Sequence, residues 1–317
     1  MIRIIITGGA GSIGKSLIQI LNQKYENLEI LVIDNLSANN TELQKLNSVR
    51  FECLDIANVE KLRPLVQEFN PNFVFHLAAH FANQNSVDYP LSDIDTNIIG
   101  TVNLLNACLG LTDLKKVVYA SSSCVYGGDL SIMKVDSKIF PYETPYAINK
   151  YVGEMYMKYF NVHYKMPTVS VRIFNTYGPG EMAGKYRNVI PNFIEKAIKN
   201  IDLTITGDGS EQRDFTYIDD TSQILLLASL FTNANYEVFN GGSGIGLPIK
   251  QLAQKIIEIT NSKSKLILKP RRDWDHVHTR ISDISHSLDL LNYRAKIGID
   301  EGLVKTIEWF KKQKNVL

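Results

Sequence analysis

Ile2-Arg3-Ile4-Ile5-Ile6-Thr7-Gly8-Gly9-Ala10-Gly11-Ser12-Ile13-Gly14 joins an apolar run to a glycine-rich turn, which opens into the pattern Leu17, Ile18, Ile20, Leu21. The run reads as a buried strand and the pattern after it as a helix, so the glycines fall on a strand-to-helix turn. Glycine serves such a turn in two ways: without a side chain the backbone can approach a pyrophosphate, and the helix can pack closely on the strand. The N–H groups and positive dipole end of the helix then face the phosphates.

A second apolar run, Ile30-Leu31-Val32-Ile33, ends in Asp34, twenty residues beyond Gly14. A carboxylate there accepts the adenosine ribose hydroxyls and repels a 2′-phosphate, which favours NAD over NADP. Glycines alone would be satisfied by an ordinary tight turn. Strand, glycines, helix, strand and acid in this order point to a dinucleotide site.

The chain of 317 residues suffices for one large domain or two smaller ones. Lys plus Arg (34) nearly balance Asp plus Glu (33), so no net field favours nucleic acid or an anionic membrane, and the expected partner is a small molecule. Cys53, Cys108 and Cys124 are far apart, and the first strand begins at Ile2, so no signal peptide is expected and the expected setting is a reducing cytoplasm. No apolar run reaches membrane-spanning length, and no internal repeat is evident. Lys311-Lys312-Gln313-Lys314 reads as a solvated helix terminus.

Between Asp34 and residue 160 strand and helix patterns alternate: strand Val49 to Cys53, helix Val59 to Phe69, strand Phe73 to Leu77, helix Asp95 to Leu109, strand Lys116 to Ala120. Alternation predicts right-handed βαβ crossovers and a parallel sheet with both faces covered, ligands binding at the carboxyl ends of the strands. Those ends carry Asp55-Ile56, Ala78-Ala79-His80 and Ser121-Ser122-Ser123. Small residues at 78 and 79 admit a flat cofactor; Asp55 reads either as a partner of the adenine amino group or as an exposed loop acid. His76 reads as a core histidine, and His276 and His278 lack a nearby third ligand, so no metal site is expected.

Tyr146-Ala147-Ile148-Asn149-Lys150 places tyrosine and lysine one helical turn apart, behind Pro145 at a helix start. An ammonium beside a phenol favours the phenolate, so the spacing predicts a tyrosine pKa below its usual value of about 10 and a base active at neutral pH.

With these residues the chain resembles the extended short-chain dehydrogenase/reductase family, particularly its nucleotide-sugar epimerases and dehydratases. The resemblance runs over nearly the whole length. It rests on Thr7 to Gly14, Asp34 to Ser37, His76 to Ala79, Thr96 to Thr101, Ser121 to Gly127, Tyr146 to Lys150 and Arg172 to Gly180. It implies a doubly wound α/β (Rossmann) parallel sheet over residues 1–175 and a smaller nucleotide-sugar-binding domain over 176–317, with strand Tyr236 to Phe239 able to return to the main sheet. The NAD set it implies is Gly8, Gly11, Ser12, Ile13, Gly14, Asp34, Asn35, Asp55, Ile56, Leu77, Ala78, Ala79, Asn97, Tyr146 and Lys150. By the same likeness Ser122 binds the sugar 4-hydroxyl, Tyr146 removes its proton, and Lys150 holds the ribose and tunes Tyr146; the plain alternative for Ser122 is a strand cap.

The substrate set implied is Ser122, Ser123, Asn175, Asn188, Val189, Thr204, Arg213 and Arg280, with both arginines on the diphosphate, where a planar fork engages phosphate oxygens. Either arginine could instead belong to a surface ion pair. The helices around 97–109 and 147–160 imply a homodimer, although Val152, Met155 and Tyr156 serve equally as internal core.

Relatives that dehydrate the sugar use an Asp-Glu pair where this chain has Ser123 and Cys124, so dehydration is disfavoured. Cys124 also stands where decarboxylating relatives carry glutamate, and Gln84 where many relatives carry arginine, which favours a neutral hexose. Epimerisation needs no extra acid or base: the 4-keto sugar turns over and takes hydride back on its other face. The leading expectation is therefore an NAD-dependent nucleotide-sugar 4-epimerase, ahead of a 4-dehydrogenase, a 4,6-dehydratase and a non-catalytic dinucleotide sensor.

Overall fold

The computed structural model describes residues 1–38, 47–128, 131–271 and 277–313; His276 and Lys314 lie outside the described residues. The first half contains strands β1 (Ile2–Thr7), β2 (Leu28–Asp34), β3 (Val49–Cys53), β4 (Phe73–His76), β5 (Lys116–Ser122) and β6 (Thr168–Ile173). Its helices are α1 (Ser12–Lys24), α2 (Val59–Phe69), α3 (Asn83–Asp88), α4 (Pro90–Ile94), α5 (Thr101–Ala107) and α6 (Pro145–Tyr164). The second half runs β7 (Thr176–Tyr177), α7 (Val189–Ile198), β8 (Leu203–Thr206), β9 (Gln212–Asp214), β10 (Thr216–Tyr217), α8 (Ile218–Ser229) and β11 (Glu237–Gly241). It finishes with β12 (Gly246–Pro248), α9 (Ile249–Thr260), β13 (Leu266–Lys269), β14 (Thr279–Arg280), α10 (Ser285–Leu291) and α11 (Ile299–Lys312).

Seven strands form one parallel sheet in the order β11-β6-β5-β4-β1-β2-β3. This is the doubly wound Rossmann arrangement. β1 is apolar at successive positions because both faces are covered: Ile4 and Ile6 pack into one cluster with Leu17, Ile18 and Ile224, while Ile5 packs into another with Leu62, Val66 and Leu104. Chain order reverses between β1 and β4, and a crevice opens at their carboxyl ends. A third cluster, with Phe193, Ile205, Phe215, Leu252 and Phe310, packs elements of the second half against one another.

The expected helix from Asp95 to Leu109 is two segments: Asp95–Gly100 is a π-helix and α5 ends at Ala107. Crowding accompanies the change of pitch: a Cβ on Gly100 would lie 2.5 Å from Ile56 Cδ1, and Thr101 Oγ1 donates to the Asn97 carbonyl at 2.8 Å. The expected strand at 236–239 is β11, which pairs with β6 as the seventh strand, so this part of the second half belongs to the main sheet.

Candidate active site

A cleft of about 920 Å³ runs across the carboxyl ends of β1, β2, β4 and β5 and is closed on one side by second-half loops. That volume is at the upper end of the roughly 300–1,000 Å³ of small-molecule sites. At one end the chain turns at Gly8, whose φ is +69° and where a Cβ would lie 2.6 Å from the Ala78 nitrogen. A Cβ on Gly14 would come within 2.5 Å of Gly9 Cα, so only glycine lets α1 start this close to β1. Asp34 Oδ2 accepts from Ala10 N at 3.0 Å and Oδ1 from Leu36 N at 2.8 Å, which anchors a carboxylate beside the turn. Asp55 Oδ2 accepts from Asn35 Nδ2 at 2.9 Å and Oδ1 from Ala57 N at 2.8 Å.

At the other end α6 begins where the sequence predicts. Pro145 occupies its first turn, Thr144 Oγ1 accepts from Ala147 N at 3.3 Å, and Tyr146 N donates to Ser86 Oγ at 3.0 Å. Tyr146 and Lys150 share one helix face toward β5, and Lys150 Nζ donates to the Ala120 carbonyl at 2.9 Å. Ser122 Oγ accepts from Cys124 N at 3.2 Å, the cap of the short 3₁₀ turn Ser123–Tyr126, so its capping role and its place in the cleft coexist.

The expected electrostatics of this pair reverse. Burial pushes the Tyr146 phenol up, the neighbouring Cys124 and Asp93 push it further, and only the hydrogen bond with Ser122 works against them. Lys150 is itself pulled down to about 8 by burial, against the fields of Asp93 and Glu154. Its Nζ lies 5.9 Å from the Tyr146 ring centroid and is spent on a carbonyl, so phenolate desolvation outweighs the ammonium's pull. Tyr146 therefore rests as the neutral phenol.

All of the residues expected to hold NAD line the cleft except Asn97, which is buried and spends its amide on the main chain of His80, accepting from its nitrogen at 3.1 Å and donating to its oxygen at 3.2 Å. Of the expected substrate set, Ser122, Ser123, Asn175, Asn188 and Arg280 line it. Val189, Thr204 and Arg213 do not: Val189 packs against the third core cluster, Thr204 pairs with Ile267, and the Arg213 guanidinium donates to the carbonyls of Gln212, Val277 and His278.

Sequence reasoning missed the supports beneath the cleft. Arg172 holds Glu154 through Nε at 2.9 Å and Nη2 at 2.8 Å, and Ser121 Oγ donates to Glu154 at 2.5 Å, tying β5, β6 and α6 together below Ser122. Fully buried Asp93 accepts from Asn149 Nδ2 at 2.6 Å and faces His80 Nδ1 at 3.5 Å. Arg172 stood in a quoted motif, but its partner eighteen residues earlier on a different element carried no local signal.

The model of the NAD dependent epimerase/dehydratase family matches residues 4–242. The chain belongs to that family. A UDP-N-acetyl-alpha-D-glucosaminuronate decarboxylase of Bacillus cytotoxicus is 30% identical over 325 residues, covering 99% of each chain. The UDP-glucose 4-epimerase of Thermotoga maritima, solved with UDP-glucose, superposes with a TM-score of 0.91 at 32% identity over 98% of this chain and 99% of that one. The enzyme WbmF of Bordetella bronchiseptica, solved with NAD+, gives 0.82 at 32% identity over 98% and 92%. NAD is the family's cofactor, and the side-chain-free contacts at Gly8 and Gly14 with the anchored Asp34 carboxylate fit it. Among the described residues no cluster of His, Cys, Asp or Glu could hold a metal ion, and no helix is long and apolar enough to cross a membrane.

Proposed function

We propose that this protein is a nucleotide-sugar 4-epimerase that keeps NAD through each cycle. The observation that carries the reading is that, among the described residues, the carboxylates lining the cleft are Asp34, Asp55 and Glu181, none of them on the segments that carry Ser122 and Tyr146. Elimination of water would need an acid and a base there; oxidation and re-reduction at one carbon need only a partner for the hydroxyl proton.

NAD, when bound, supplies a reversible two-electron acceptor for that carbon and a cationic ring. Ser122 orients the 4-hydroxyl through its Oγ. Tyr146 exchanges the hydroxyl proton, as acid in its resting form and as base once ionised, and the Lys150 ammonium steadies the phenolate. Burial of the Tyr146–Lys150 face excludes water from the keto sugar.

The chain divides in this proposal into an NAD-binding unit over 1–175 and a sugar-nucleotide-binding unit over 176–317, with α8 and β11 returned to the first. It pairs as a homodimer through Ile94, Ile99, Ile148 and Met155, which are exposed on helices packed against one another; Tyr156 turns inward to the core. Its three unpaired cysteines suit a reducing cytoplasm.

The test incubates purified protein, without added cofactor, with UDP-, GDP-, CDP- and dTDP-sugars and reads products by mass spectrometry and NMR. Unchanged mass with inverted C4 is expected, and Tyr146→Phe should abolish it with NAD still bound. Loss of two hydrogens would indicate a dehydrogenase, and loss of water would remove the argument from the missing acids.

A further inference from the structure

Beyond β7 the chain passes close to the start of α1: a Cβ on Gly180 would lie 3.2 Å from Ser12 Cβ, and its φ of +99° suits glycine. Every residue from Glu181 to Asn188 then lines the same cleft as Gly8, Gly14 and Asp34. The segment is closed at its base. Buried Glu181 accepts from Asn188 N at 3.3 Å and from Asn188 Nδ2 at 3.2 Å. Asn192 on α7 accepts from Gly184 N at 3.0 Å and donates to the carbonyls of Gly184 and Asn188 at 3.1 and 2.9 Å. A loop whose ends meet and whose interior is braced by side chains behaves as one compact unit.

That unit is fastened to the first half at two separate places. Arg187 Nη2 donates to the Ala38 carbonyl at 2.9 Å, just beyond Asp34 at the adenosine end. At the end of α3, Asp88 Oδ2 accepts from Tyr186 Oη at 2.7 Å and Lys185 Nζ at 3.3 Å, while Gln84 Nε2 donates to Oδ1 at 2.8 Å. These bonds, that of Tyr186 foremost, hold the Asp88 carboxyl below the ordinary carboxylate range. Tyr89 meets the Tyr186 ring edge-on, with centroids 6.4 Å apart. α3 also carries Ser86, which accepts from Tyr146 N, so the second fastening is on the helix that steadies the catalytic end.

We propose that Glu181–Asn188 is a clasp over the cofactor, that Asp88 is its catch, and that its opening sets how long NAD stays bound; this rests on the retention of NAD in the reading above. The glycine turn with Asp34 and the Tyr146–Lys150 face mark the two ends of the cofactor crevice, and the clasp is anchored near each. A single exposed contact contributes little, but two anchors on one braced loop must give way together before the cleft opens. Asp88 is itself outside the cleft lining, so it acts through Tyr186 and Lys185 rather than by touching the cofactor.

The test loads the protein with radiolabelled NAD, chases with unlabelled NAD in the absence of any sugar, and follows retained label by rapid desalting. Asp88→Ala should release NAD about 3- to 10-fold faster than wild type, and Asp88→Asn, which keeps an acceptor for Tyr186, should fall between. Tyr186→Phe should also speed release, and adding it to Asp88→Ala should change nothing further, because both substitutions break one contact. The thermal midpoints of the NAD-saturated variants should match wild type. Wild-type release rates in Asp88→Ala and Tyr186→Phe would overturn the clasp, as would additive acceleration accompanied by lower thermal midpoints, which would signify general loosening. The ratio of variant to wild-type release decides the clasp; wild-type release faster than a catalytic cycle would sink the retention reading alone.

Discussion

Acidification from pH 7 to pH 5 should cost the wild type about 2 kcal/mol more stability than it costs His76→Gln. His76 is 1% exposed at the end of β4, its Nδ1 2.7 Å from Thr7 Oγ1 and its Nε2 2.9 Å from Thr101 Oγ1. Burial first and the Lys150 ammonium second hold it down from the ordinary 6.5 to about 3. Between those values the unfolded chain binds a proton that the folded chain refuses, so the stabilisation is present above 6.5 and is lost as pH falls toward 3. At pH 5 the unfolded histidine is about 1.5 pH units below its titration point, and at about 1.36 kcal/mol per unit the loss approaches 2 kcal/mol. Glutamine keeps a donor and an acceptor for the two hydroxyls and cannot titrate. Urea denaturation of both proteins at the two pH values isolates the histidine, because carboxylate effects cancel in the difference. Matching pH dependence would show that His76 accepts a proton without unfolding. The site would feel the change too, since Thr7 Oγ1 also receives Ala78 N at 3.3 Å under the cofactor end.

Asp34→Ala should weaken NAD more than NADP in parallel titrations, because it removes the anion that repels a 2′-phosphate along with the ribose acceptor; equal loss of both would undo the preference. Turnover should decline as pH rises above about 8, where Lys150 loses the charge that steadies the Tyr146 phenolate. Since that pKa is below the ordinary 10.5, the unfolded lysine holds its proton longer, so stability should rise with pH between the two values while the rate falls; a rate level to pH 10 would exclude Lys150 as the titrating group.

The elements that sequence periodicity located best are those whose signal is local. The residue limits of β3 and α2 match the expected ones, and α6 begins at the expected proline. The helix from Asp95 did not read correctly because its change of pitch accompanies a contact with Ile56, distant in the chain, which no spacing rule reports. The charge state of Tyr146 was misjudged for a related reason: spacing brings a lysine to the same face, but burial decides how strongly a phenolate is penalised.

The sequence by itself determined the strand, glycine turn, helix and acid that make a dinucleotide crevice, and the Tyr146–Lys150 face. These depend on steric freedom and periodicity within a few residues. Tertiary structure alone decided that the side chains of Arg213 and Arg280, adjacent across a strand pair, part, Arg213 onto main-chain carbonyls and Arg280 into the cleft lining, and that Arg172 is paired with Glu154. Cys124 and Arg280 are 156 positions apart, and the value of a charge is set by the burial and partners that only the closed fold supplies.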